Sequence, residues 1–86
     1  MADLNKNAEQ ESPLDEISEW VEEHGDLLYR FARCRVSSHE LAEDLVQITF
    51  MSALKDWQRF RRDSSPKTWL VSILRHKIID HYRRKK

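Results

Sequence analysis

Residues 12–32 read SPLDEISEWVEEHGDLLYRFA, and the way this stretch begins and repeats decides the fold. Ser12 supplies a side-chain oxygen for an N-cap, and Pro13 suits the first helical position because the N–H it lacks has no partner there anyway. Asp15 and Glu16 then put anions in the first turn, where the helix dipole stabilises negative charge. Behind them Leu14, Ile17, Val21, Leu28, Phe31 and Ala32 recur at spacings of three, four and seven, which predicts one buried stripe along a helix. His24 completes that stripe as a core histidine, and Gly25 weakens the helix without stopping it.

The same opening recurs at Ser65 and Pro66, after which Leu70, Ile73, Leu74, Ile78 and Tyr82 mark the inward face of a last helix. Between these two, Ser37 and Glu40 in SSHE have capping-box spacing and open a helix that runs to about Lys55, with Leu41, Ala42, Leu45, Ile48 and Ala53 at helical spacing. The expected architecture is all-α: a compact three-helix bundle with one substantial loop, 57–65, before the last helix. No internal repeat is present. One Gly and two Pro in 86 residues agree with this, since hairpins and tight turns lack their usual residues.

Eighty-six residues allow one small domain with a modest core. Residues 1–11 lack apolar periodicity and are expected to form a disordered acidic tail, 12–84 the helical domain, and 85–86 a basic end. Cys34 is the sole cysteine, which excludes an intramolecular disulfide and suits a small, buried or half-buried apolar position. The N-terminus is polar and acidic, and no apolar run reaches spanning length, so a soluble, cytoplasmic protein without membrane insertion is expected. Catalysis is not expected, nor a cofactor or metal. His76 and His81 are five apart and fall on different helix faces, no glycine loop cradles phosphate, and no Ser or Cys has an activating motif.

The net charge of zero hides a gradient. Residues 1–26 hold one base and nine acids, 27–54 three and three, and 55–86 eleven and three. A basic end of this size points to a polyanion, with nucleic acid foremost. Within it, WQRFRRDSSPKTW at 57–69 mixes rings and cations. Arg59, Arg61 and Arg62 can neutralise phosphates, while Trp57, Phe60 and Trp69 can offer faces to unpaired bases. Trp57 and Trp69 sit at helix ends, where large rings commonly close a small core, so Phe60 is the better stacking candidate. Lys67, Arg75, His76 and Arg83 continue the basic surface along the last helix, away from its apolar stripe. The second helix carries a separate surplus: Asp44, Gln47 and Met51 follow one another on a flank of its stripe, as helix-docking surfaces do.

Taken in order, AEDLVQITF, WQRFRRDSSPKTWL and ILRHKIIDHYRR resemble the conserved second domain of bacterial sigma factors, in particular the extracytoplasmic function (ECF) subgroup of the sigma-70 family, over about residues 14–84. The resemblance implies that Asp44, Gln47, Ile48 and Met51 bind core RNA polymerase, at the clamp helices of its largest catalytic subunit. It implies that Arg59, Phe60, Arg61, Asp63, Ser64 and Ser65 form a loop pocket for a flipped non-template base of the minus-ten promoter element. Thr68, Trp69, Arg75, His76 and Lys77 would then face DNA at the fork. Ile48 replaces a common Glu and His76 a common Asn, which alters a polar contact to polymerase and the base preference. An anti-sigma factor is a further partner the family admits. Family members also carry a second helical domain for the minus-thirty-five element, and a linker to it is expected to begin near Lys86. The competing expectations are a general single-strand binder, with little sequence preference, and a protein-interaction bundle whose basic end is only solvated. A helix-turn-helix duplex reader is disfavoured because 57–65 exceeds the usual three-to-four-residue turn.

Overall fold

The structure, a computed structural model, describes residues 12–60 and 62–84. The expected tail at 1–11, the basic end at 85–86 and Arg61 lie outside the described residues. Among the described residues three helices form: α1 at Pro13–Arg33, α2 at His39–Lys55 and α3 at Pro66–Arg84, with a 3-10 turn at Trp57–Arg59 between the last two. Each helix packs on both of the others, so the all-α three-helix expectation holds.

The caps form largely where the residue types place them. Ser12 Oγ accepts the Asp15 N–H at 3.1 Å at the start of α1. Ser65 Oγ accepts the Thr68 N–H at 3.1 Å at the start of α3, and its own hydroxyl donates to Thr68 Oγ1 at 2.9 Å. For α2 the cap is Ser38, whose Oγ accepts the Leu41 N–H at 3.0 Å, and not the expected Ser37. The reason lies upstream. The Arg35 and Val36 N–H groups both close on the Ala32 carbonyl at 2.9 Å, and this turn buries Val36 and sets the helix entry one residue later. Cys34, expected to be buried or half-buried, is the exposed C-cap of α1, because the helix ends before the next turn of the stripe.

Leu28, Leu70 and Leu74 are fully buried, joined by Ile17, Trp20, Ala32, Ala42, Leu45, Phe50, Ala53 and Ile78. Each large aliphatic side chain removed from water contributes about 1.5–3 kcal/mol, so this seam is the main stabilising term. The α1 stripe differs from expectation. Leu14 and Val21 are exposed, and Trp20 at 3% exposure holds the position assigned to Val21. Spacing explains it: Ile17, Trp20, His24, Leu28 and Ala32 step by three or four without a gap, which keeps them on one face. On α2, Ile48 is 43% exposed and Thr49 is fully buried instead. The Thr49 hydroxyl is satisfied by donating to the Leu45 carbonyl at 2.8 Å, so its burial leaves no polar group stranded. Tyr82 is exposed rather than inward, and its hydroxyl donates to the Arg35 carbonyl, tying the end of α3 to the α1–α2 turn.

Candidate functional site

The loop after α2 is held by an aromatic cluster and a carboxylate. Phe60 packs edge-on against Trp20, with centroids 5.2 Å apart at 75°, and tilted against Trp69 at 5.1 Å and 37°; Trp20 meets Trp69 edge-on at 6.0 Å. Such pairs contribute about 0.5–1.5 kcal/mol each beyond area burial. They place one ring from α1, one from the loop and one from α3 in a single cluster, which fixes the loop relative to two helices. Phe60, the expected stacking ring, is therefore 8% exposed with its surface taken by two tryptophans. A ring between the end of α2 and the start of α3 gains more from an apolar niche than from water. Trp57 and Trp69, expected at helix ends to close the core, are both half-buried and pack against it.

The carboxylate is Glu16, read in the sequence as a first-turn anion for the helix dipole. It is 8% exposed. Arg62 reaches it in a bidentate fork, Nη1 to Oε2 at 2.8 Å and Nη2 to Oε1 at 3.1 Å, and Trp57 donates its indole N–H to Oε1 at 2.6 Å. The guanidinium also lies 5.2 Å from the Trp57 ring centroid and 4.9 Å from that of Phe60. The Arg62 hydrogen bond holds the Glu16 carboxyl below its ordinary range, with burial opposing and the Trp57 hydrogen bond and the Arg62 charge assisting. Arg62, expected as a phosphate contact, is thus neutralised by Glu16. Sequence reasoning missed both Glu16 and Trp20 as loop supports. The available signal was their i, i+4 spacing, which puts an acid and an indole on the face that turns inward.

Beyond the cluster, α3 presents two different sides. Leu27 of α1 and Lys67, Thr68, Val71, Ser72 and Arg75 of α3 line a groove of about 380 Å³, with an apolar floor and cations at its rim. His76 and Ile79 adjoin it across Ser72 and Arg75 in a smaller hollow. Thr68, Arg75, His76 and Arg83 are all exposed, and their spacing gathers them on this side. Lys77, expected beside them, is separated: it is half-buried and lines the cleft between α2 and α3 with Asp44, Ile48, Asp80, His81 and Arg84. One helical step of about 100° carries it off the basic face. Asp63, Ser64 and Ser65 are exposed in the loop beside Arg59, which is also exposed.

Asp44, Gln47, Ile48 and Met51 form one exposed face of α2, with Met51 68% exposed and Ile48 43%. Ile48 and Met51 continue into a shallow depression with Ser52 and Lys55. None of these residues lines the Lys67–Arg75 groove, so that groove and the α2 face are distinct, with Lys77 on the α2 side. Among the described residues no group of three or more His, Cys, Asp or Glu side chains is placed to hold a metal ion, and no helix is long and apolar enough to cross a membrane.

Residues 20–86 match the family description sigma-70 region 2. A probable RNA polymerase sigma factor of Haemophilus influenzae is 51% identical over 55 residues, covering 64% of this chain and 28% of that protein. The ECF RNA polymerase sigma factor SigX of Bacillus subtilis is 41% identical over 61 residues, covering 71% of this chain and 31% of its own length. RNA polymerase sigma factor YlaC of the same organism is 36% identical over 70 residues, covering 81% and 40%. The chain thus spans well under half the length of these relatives. No solved structure matches it significantly.

Proposed function

The chain belongs to the sigma-70 region 2 family, in its ECF branch, and on that premise we propose that it is a transcription initiation module that works by binding alone. The exposed α2 face of Asp44, Gln47, Ile48 and Met51 docks on core RNA polymerase, at the clamp helices of its largest subunit. Arg59, Asp63, Ser64 and the groove side of α3 hold the separated non-template strand of the minus-ten element. Affinity for that strand over the duplex favours the open state by the difference between the two.

The observation that carries this reading is the separation of the two surfaces. The groove joins an apolar floor, Leu27 and Val71, to rim cations, Lys67 and Arg75, which suits a base with its flanking phosphates. The α2 face pairs exposed Ile48 and Met51 with Asp44 and Gln47, a composition that fits a protein partner. Phe60, packed between Trp20 and Trp69, anchors the loop instead of stacking on a base.

Lys67→Ala combined with Arg75→Ala should weaken binding of a minus-ten-like single strand about tenfold or more while leaving polymerase capture intact. Asp44→Ala combined with Gln47→Ala should do the reverse. Equal losses in both assays from each pair would sink the two-surface reading. Single strands bound without preference for a minus-ten-like sequence would favour a general single-strand binder, and no detectable binding even at low salt would favour a protein-interaction bundle.

A further inference from the structure

We infer that Glu16 is a positioning residue for strand recognition: from the first turn of α1 it anchors Trp57 and Arg62, so that the loop presents one shape to the strand. The inference rests on the proposed strand-binding role of that loop. Glu16 lies before the span, 20–86, that the family description matches, so nothing in that match assigns it a part in the site. Three hydrogen bonds of 2.6 to 3.1 Å converge on its two oxygens from residues 41 and 46 positions away.

Bidentate geometry is what makes this an anchor and not a surface ion pair. The two nitrogens of Arg62 engage both carboxylate oxygens, and the guanidinium lies over Phe60 and Trp57, which fixes its plane as well as its place. Trp57 is bonded through its indole N–H to the same carboxylate, and the 3-10 turn begins at Trp57. One carboxylate therefore sets where the loop starts and where it passes Phe60. Exposed Asp63 and Ser64 follow directly, so a loosened anchor would let the recognition segment sample many shapes, and ordering it again would oppose binding.

The test uses the whole chain and reads amide hydrogen exchange at Arg59 and Phe60, whose N–H groups bond to Asp56 and Trp57 carbonyls. Glu16→Ala should speed both by about tenfold and Glu16→Gln by less, since the amide keeps an acceptor for Trp57, while Leu74 in the core quickens by no more than the loss of overall stability. Arg62→Gln should loosen the same amides, and combining it with Glu16→Ala should add little, as expected of partners in one contact. Preference for a minus-ten-like over a scrambled single strand should fall about threefold or more in Glu16→Gln. Loop exchange unchanged in both Glu16→Gln and Arg62→Gln overturns the anchor. Faster loop exchange with full strand preference overturns the recognition role. A parent chain that shows no preference refutes the functional reading and the recognition half of this inference with it, while exchange still decides the anchor.

Discussion

At the scale of single residues, burial redistributes the roles that residue types suggest. Phe60 is an apolar ring in a basic loop, and the surrounding cations argue for a stacking surface. Two tryptophans claim it instead. Phe60→Ala should therefore cost about 3–5 kcal/mol of stability, measured as a lower urea midpoint, before any effect on DNA is read. Glu16 carries a pH signature whose sign follows from its depressed carboxyl. Its contribution is complete above the ordinary value of 4.5 and is lost as pH falls through the lowered folded value. The stability difference between the parent chain and Glu16→Gln should thus be constant at neutral pH and shrink below pH 4.5. With Arg62 largely exposed, the neutral-pH difference should stay near 1 kcal/mol; a difference unchanged down to strong acid would remove the ion pair from the account.

At the scale of elements, α1 combines strong ends with a weak middle. Gly25 is helical, and a methyl group at its Cα would meet nothing within 4 Å. Gly25→Ala should stabilise the fold by about 0.5–1 kcal/mol through a smaller entropy loss on folding, seen as a higher melting temperature; a lower one would mean that the helix needs flexibility there. The exposed face of α2 makes the opposite case. Asp44→Ala with Gln47→Ala removes groups that bear no part of the core, so thermal stability should move by less than about 0.5 kcal/mol while polymerase capture falls. Ile48 belongs with them, since helical phase puts Thr49 rather than Ile48 against the other helices.

At the scale of the whole molecule, charge is segregated along the chain, and one acid from the first helix crosses over to a cation of the last third. Binding to a single strand should be steeply salt-sensitive despite zero net charge. With Lys67 and Arg75 on the groove and Arg59 exposed in the loop, a slope of about −2 in log affinity against log salt is expected, at about 0.7 per phosphate contacted; a flat salt response would exclude phosphate contact. The helix count, the Ser-Pro starts at residues 12 and 65 and the end of α2 at Lys55 were determined by the sequence alone, because caps, prolines and apolar periodicity act within a few residues of themselves. So was the family likeness, which is carried by local motifs. Tertiary structure alone decided which rings face solvent and that Glu16 meets Arg62 across 46 positions of chain. Those outcomes depend on helix phase and on the relative placement of distant segments. No local pattern encodes that placement, because it is settled only when three stripes compete for one core.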